Sequence, residues 1–206
     1  MSALRTLAVS LALIALGIAT LAIATDHFRA FTTETARRVE VRQHPRPVPP
    51  VTLQNQTGAR FNLAELQGKW LVVDFIYSRC MSLCSVMGGK FAQLQGQLAT
   101  PLAQGRVQLL SISFDPAYDA PLQLADYLGR FQSRGTGWLA ARPTTAHGLR
   151  QLERVFGVTV IPDTLGGYVH NDAFEIVDPQ GRLVSILDID TPIKSVGATI
   201  LRNLKR

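Results

Sequence analysis

Cys80 and Cys84 are the only cysteines of this sequence and the residues best suited to chemistry. The apolar run Trp70–Tyr77 precedes them and predicts a strand, and apolar residues at helical spacing follow them and predict a helix. The positive end of the helix dipole and the charge of Arg79 both favour the thiolate form of a nearby thiol. Because thiolates attack disulfides and bind soft metals, the pattern predicts a functional site and not a structural crosslink.

Three residues separate the two cysteines, and this spacing bears on what the pair can do. In a regular helix, residues four apart share a face with Cβ atoms about 5–6 Å apart. A disulfide needs Cβ atoms about 3.5–4.5 Å apart, so a bridge requires Cys80 to lie in the loop ahead of the helix. A metal ion at roughly 2.3 Å from each sulfur tolerates the wider spacing. The spacing therefore suits metal binding at least as well as disulfide chemistry.

Two thiolates do not choose a metal by themselves. Structural zinc sites normally take four ligands, and the chain has no further cysteines, whereas two thiolates and one imidazole suit Cu(I). Three of the four histidines are expected to be solvated, namely His27, His44 and His147. His170 lies in a glycine-containing segment that leads into the predicted strand 173–177. In a thioredoxin-like sheet this position lies beside the cysteine loop, so we predict His170 as the third ligand.

The elements that must position these residues alternate along the chain. Strands are predicted at 70–77, 106–114, 173–177 and 183–187, with an edge strand at 137–141, and helices at 61–68, after the cysteines, and at 121–131, 144–156 and 191–204. Asp178–Gly181 has the residues of a type I turn and joins the last two strands as a hairpin. This order predicts an α/β thioredoxin-like sandwich with a central mixed β-sheet.

The N-terminal region predicts export of the domain. Twenty residues, Thr6–Thr25, carry no charge, and a helix of that length spans about 30 Å, the thickness of a bilayer core. We predict a transmembrane anchor at 1–25, although Ala22–Ala24 also fits a signal-peptide cleavage site. Residues 26–50 are predicted as an arginine- and proline-rich linker with an extended end, and residues 51–206 as the domain. Either processing outcome places the domain in a bacterial periplasm or a mitochondrial intermembrane space.

The net charge of +6 does not indicate nucleic-acid binding. The cations are scattered and are not interleaved with aromatic residues, so we expect solvated charges with some affinity for anionic lipid head groups.

Three motifs together resemble the Sco/SenC family of membrane-anchored copper proteins. They are DF-x-Y-x-x-C-x-x-x-C at Asp74–Cys84, S-x-S-F-D-P-x-x-D at Ser111–Asp119, and a single His170 eight residues before the D-P-x-G-R turn. The resemblance implies a thioredoxin fold and copper bound by Cys80, Cys84 and His170, with Cu(I) preferred and Cu(II) allowed. It also implies a role in assembling the binuclear copper site of cytochrome c oxidase, with its copper-site subunit or another copper-accepting protein as partner.

The sequence departs from the family pattern next to both cysteines, where Met81 and Ser85 replace prolines. Their absence frees two backbone N–H groups, so the geometry and reduction potential of the pair are expected to differ. Asp115 and Asp119 match the acidic pair of the family. Asp115 is expected either to orient His170 or steer a cation, or to begin a turn with the proline that follows it.

An exported thiol–disulfide oxidoreductase is the competing interpretation. Such proteins usually have CxxC and a proline facing the cysteines, whereas this chain has a wider spacing and His170 at that position. Copper delivery also needs reduced thiols, so Cys80 and Cys84 can serve as a redox-active pair in the same protein. The only enzymatic activity that the sequence suggests is therefore a thiol–disulfide reductase activity.

Overall fold

A computed structural model gives the structure of residues 2–25, 32–80, 83–133, 137–164 and 166–204. For Ser2, Leu83 and Cys84 it describes the backbone alone. The chain divides into two compact units, residues 1–44 and 45–206.

The N-terminal unit contains two helices, α1 (Ser2–Ala24) and α2 (Thr33–Gln43). Within α1, the 22 residues Ala3–Ala24 are long and apolar enough to cross a membrane, a test that a signal sequence also passes. Helix α2 lies inside the segment predicted as a linker. The side chain of Thr32 caps its N-terminus, and Glu34 pairs with two arginines on its surface. These local contacts stabilise a helix that has no apolar stripe.

Between residues 70 and 156, the second unit alternates strands and helices as the sequence predicts. Its strands are β1 (Arg46–Pro47), β2 (Thr52–Asn55), β3 (Arg60–Asn62), β4 (Trp70–Ile76), β5 (Val107–Ser113), β6 (Trp138–Pro143), β7 (Val160–Pro162), β8 (Tyr168–His170), β9 (Ala173–Val177) and β10 (Arg182–Asp188). Its helices are a 3₁₀ turn (Leu63–Leu66), α3 (Leu83–Gln97), α4 (Ala99–Ala103), α5 (Pro121–Arg130), α6 (Ala146–Phe156) and α7 (Ile193–Asn203).

Among the described residues, eight strands form one mixed sheet in the order β1-β10-β9-β4-β5-β6-β2-β3. Strands β4, β5 and β6 run parallel, and the other neighbours are antiparallel. The prediction that 137–141 is an edge strand is wrong, because β6 lies between β5 and β2. Strands β7 and β8 pair with each other in a separate hairpin, so His170 lies on a strand and not in a loop.

Helices cover both faces of the sheet. The predicted stripe Met87, Phe91, Leu94 and Leu98 is fully buried, in one cluster with Val72 and Ile76 of β4. On the opposite face, the ring of Phe75 contacts Phe156 of α6, with centroids 5.2 Å apart. This layered arrangement confirms the predicted thioredoxin-like sandwich.

Element boundaries differ from the prediction in small ways. Helix α6 begins at Ala146 with Thr145 as its N-cap, two residues after the predicted start at 144. The last helix begins at Ile193, two residues after the predicted start at 191. The β9–β10 turn is confirmed, since the Gly181 N–H donates to the Asp178 carbonyl at 2.9 Å. In the segment expected to be extended, Arg46 and Pro47 pair with β10.

Candidate metal centre

The first predicted ligand, Cys80, lies in a tight turn after β4. Its backbone N–H donates to the carbonyl of Tyr77 at 3.1 Å, and the residue is 5% exposed. Helix α3 begins three residues later, so the predicted order of strand, turn and helix is present. Met81 and the side chain of Cys84 lie outside the described part of the chain. The pairing of the two thiols therefore stays a prediction.

Asp119 holds the turn that carries Cys80. Its carboxylate is fully buried and accepts from the Ser78 N–H at 3.0 Å, the Ser78 hydroxyl at 2.5 Å and the Ser113 hydroxyl at 2.6 Å. Arg130 of α5 donates to the carbonyl of Ser78 at 2.6 Å. Charge-assisted hydrogen bonds are stronger than neutral ones, so Asp119 and Arg130 together fix the position of Ser78. Ser78 lies only two residues before Cys80.

Asp115 forms a different contact. It accepts from Arg79 at 2.6 Å, and the same guanidinium lies 4.3 Å above the ring of Tyr118. The carbonyl of Asp115 accepts from the N–H groups of Tyr118 and Asp119. Asp115 therefore begins a turn, which is one of the two alternatives expected from the sequence. Its carboxylate neutralises the charge of Arg79, the residue next to Cys80.

His170 is enclosed by aromatic rings. Its imidazole is 3% exposed and packs edge-on against Phe114 and Tyr77, with centroids 4.8 Å and 6.2 Å away. Burial lowers the pKa of His170 to about 4, so the imidazole is neutral at pH 7. The Nδ1 atom lies 3.3 Å from a carboxylate oxygen of Asp172, whose own pKa burial raises to about 7.

Tyr77 joins the two ends of the site. Its carbonyl accepts from Cys80, its ring contacts His170, and its hydroxyl lies 3.4 Å from the backbone nitrogen of Tyr168. Strands β4 and β9 are antiparallel neighbours, so the end of β4 and the start of β9 meet at one edge of the sheet. The structure thus brings Cys80 and His170 to the same edge.

Of the other three histidines, two are exposed and one lies outside the described residues. His147 is exposed on α6, His44 is exposed at the end of α2, and His27 lies outside the described residues. Within the described part of the chain, which excludes the Cys84 side chain, no three His, Cys, Asp or Glu residues form a metal-binding group.

Sequence reasoning missed two acidic residues near the site. Asp172 follows His170 by two positions, a spacing that could have drawn attention to it. Asp74 of β4 is fully buried opposite Ser111 of β5, whose hydroxyl accepts from the indole N–H of Trp138 at 2.9 Å. Burial raises the pKa of Asp74 to about 8, so this carboxyl is protonated at neutral pH. Nothing in an apolar strand pattern predicts that protonation state.

The donor chemistry of these residues fits a soft metal ion. A thiol and a neutral imidazole that keeps its lone pair are ligands that Cu(I) accepts, and the aromatic rings around His170 keep water away. The carboxylates are poor candidates for direct ligation, because Asp115 and Asp119 are already hydrogen-bonded. They instead fix the turn that supplies Cys80.

Comparisons with known proteins agree with these observations. A family model described as SCO1/SenC matches residues 39–205. The SCO1 protein homolog of Bacillus subtilis is 26% identical over 139 residues, which cover 66% of this chain and 71% of that protein. The crystal structure of yeast Sco1 with copper bound is 25% identical, with a TM-score of 0.63, covering 78% of this chain and 90% of the other.

A structure of BsSco is 24% identical, with a TM-score of 0.66, covering 77% of this chain and 93% of the other. BsSco is described as a member of the Sco family of cytochrome c oxidase assembly proteins, in which a disulfide switch was identified. At this identity the likeness shows the fold.

Proposed function

This chain belongs to the SCO1/SenC family, and from that premise we propose that it is a membrane-anchored copper chaperone serving the binuclear copper site of cytochrome c oxidase during assembly. The observation that carries the proposal is the buried, neutral imidazole of His170 at the sheet edge that also carries Cys80. Such an imidazole remains available to a metal at neutral pH. The copper bound in yeast Sco1 supports the same chemistry.

Copper is the cargo, held by Cys80, Cys84 and His170. Two thiolates favour Cu(I), and the imidazole completes a low-coordinate set, while Cu(II) is also accepted. Arg79 is paired with Asp115, so its charge is offset and does not repel an incoming cation beside the thiols. Transfer then occurs by exchange of these ligands for soft ligands of an acceptor, either the copper-site subunit of the oxidase or another copper-accepting protein.

Helix α1 is the proposed membrane anchor, with the domain on the exported side of the membrane. Its 22-residue segment Ala3–Ala24 is long and apolar enough to span a bilayer core. Two relatives, the SCO1 protein of yeast and its human homolog, are named as mitochondrial proteins. The copper site would then face the compartment in which the acceptor is assembled.

Thiol–disulfide exchange is the second candidate function. It is favoured by the position of Cys80, which lies in a turn three residues before α3, because the N-terminus of a helix favours the thiolate form of a nearby thiol. In that reaction Cys80 and Cys84 are oxidised to a disulfide while a disulfide of the partner is reduced to two thiols.

Copper stoichiometry of the purified full-length protein in neutral detergent tests the main proposal. The reduced protein should bind one copper per chain, and the oxidised protein none through its sulfurs, because a disulfide has no thiolate to donate. Cys80→Ser or Cys84→Ser should abolish tight binding. Stoichiometric binding in the double variant would contradict the assignment.

His170 and His147 provide a matched pair of variants in the same titration. His170→Ala should weaken copper binding by at least about tenfold because a ligand is lost. His147→Ala removes an exposed imidazole from α6 and should leave the affinity unchanged. Equal effects of the two substitutions would show that His170 is not the ligand.

A further inference from the structure

Two arginines and a glutamine form a row across three neighbouring strands. Gln54 of β2 lies directly opposite Arg60 of β3 on one side and Arg142 of β6 on the other. Residues in register across strands project their side chains on the same face of the sheet. With strands about 4.8 Å apart, the two arginine Cα atoms lie roughly 10 Å apart on either side of Gln54.

Arg142 is held in place by neutral groups. Its Nε and Nη2 atoms donate to the Gln54 side-chain oxygen at 3.2 Å and 2.9 Å, and Nη1 donates to the carbonyl of Pro116 at 2.8 Å. Gln54 is itself fixed, since its amide donates to the carbonyl of Gly58 at 3.2 Å. A guanidinium has five N–H donors, so these three bonds orient Arg142 and leave two N–H groups for another acceptor.

Within the described part of the chain, the charges of this row are not neutralised. Among the described residues, no carboxylate lies within ion-pairing distance of Arg60 or Arg142. Arg142 is also half-buried, which makes an uncompensated charge more costly than it is on an open surface. The row therefore presents two positive charges that an external anion can pair.

A groove of about 340 Å³ opens at this row. Its lining includes Gln54, Arg60 and Arg142, together with Thr144 and Thr145 just before α6. The groove lies at the carboxyl end of the parallel strand β6, the side of an open α/β sheet where ligands commonly bind. It is large enough for a phosphate or carboxylate group and has polar donors on its wall.

We propose that this groove, formed by Arg60, Gln54 and Arg142, binds an oxyanion, either a phosphate or a carboxylate. Arg142 supplies oriented N–H donors to the oxygens, and Arg60 closes over the anion from the exposed edge strand. Free inorganic phosphate and the acidic side chain of a docked protein share this chemistry. The site does not depend on copper binding.

The groove also adjoins the turn beside Cys80. Arg142 binds the carbonyl of Pro116, and the preceding Asp115 pairs with Arg79, the neighbour of Cys80. The turn that begins at Asp115 therefore connects the wall of the groove to the residue next to Cys80. This proximity makes the groove suited to orient a docked partner.

Titration followed by NMR of the ¹⁵N-labelled full-length protein in neutral detergent tests the proposal. Inorganic phosphate and glutarate are added separately at constant ionic strength, and the amide signals of Ala117, Thr144 and Thr145 are followed. Saturable shifts with a Kd of about 1 mM or tighter are expected for at least one anion. Tighter binding of phosphate indicates a free phosphate ligand, and tighter binding of glutarate indicates a carboxylate from a partner.

Charge-matched variants decide whether the row is responsible. Arg60→Gln and Arg142→Gln should each weaken binding by at least about tenfold. Arg202→Gln removes the same charge from the exposed face of α7 and should change the Kd by less than about twofold. Arg60 is exposed on an edge strand, so its variant remains informative even if Arg142→Gln does not fold. Shifts that do not saturate below about 20 mM, or equal losses in all three variants, would overturn the proposal.

Discussion

Asp119 shows how one buried carboxylate can organise a site without contacting its ligand. Its carboxylate accepts three hydrogen bonds, two of them from Ser78. Arg130 donates a further hydrogen bond to the carbonyl of Ser78. Because Ser78 precedes Cys80 by two positions, the position of the thiol depends on these bonds. The sequence motif placed Asp119 near the site, but its partners became apparent only from the fold.

Substituting Asp119 by Asn tests this positioning role. The amide of Asn has the same shape as the carboxylate but only one acceptor oxygen. Its NH₂ group replaces the other oxygen, so N–H donors face the donor groups of Ser78 and Ser113. We expect a loss of about 3 kcal/mol in the free energy of unfolding, measured by urea denaturation. Copper affinity should also fall, as measured by competition with a Cu(I) chelator.

The exposed Asp126 of α5 offers a matched control. Asp126→Asn makes the same chemical change on the surface and should alter neither stability nor copper affinity. If Asp119→Asn lowers stability but leaves copper affinity at the wild-type value, Asp119 supports the fold and does not position Cys80.

At the scale of elements, short-range residue patterns predicted those elements that depend on contacts between residues close in sequence. The strand before Cys80, the helix after it and the turn at Asp178–Gly181 all depend on short-range patterns, and all are present. The position of β6 depends on its pairing with β2, over eighty residues away, so the sequence did not reveal that it is an inner strand. Helix α2 was missed because it is stabilised by a cap and ion pairs and not by an apolar stripe.

Asp74 of β4 makes the stability of the fold depend on pH. Burial raises the pKa of Asp74 from 3.8 to about 8, so the folded protein retains a proton that the unfolded chain has lost above pH 4. The contribution of Asp74 to stability is therefore fully present below pH 4 and is lost as the pH rises toward 8. At about 1.4 kcal/mol for each pKa unit, the loss is on the order of 5 kcal/mol.

Asp74→Asn should remove this pH dependence. An amide does not titrate, so the variant should be more stable than the wild type at pH 9 and similar to it at pH 4. Urea denaturation followed by tryptophan fluorescence at both pH values measures the difference. Some decline will persist through Asp172, whose pKa burial raises to about 7. If the wild type is at least as stable as the variant at pH 9, the pKa of Asp74 is not raised in the folded protein.

At the scale of the whole molecule, the sequence and the comparisons identify the same family by different routes. The motifs that carry the resemblance lie at the ends of β4 and β5 and just before β9, and the fold brings these segments to one sheet edge. The aromatic enclosure of His170 could not be predicted, because Tyr77 and Phe114 come from separate strand ends. That enclosure keeps the imidazole of His170 neutral, whereas His44 and His147 are exposed.

Copper delivery and thiol reduction make different demands on the full-length protein, and complementation separates them. A thiol reductase needs Cys80 and Cys84 but has no use for the imidazole of His170, whereas a copper donor needs all three. In cells lacking this protein, His170→Ala should fail to restore oxidase activity at low copper, as the cysteine variants fail, while His147→Ala should restore it. Added copper should rescue His170→Ala by mass action on the intact dithiol, but not the double cysteine variant. Full activity of His170→Ala at low copper, with either cysteine variant inactive, would instead identify thiol exchange as the function.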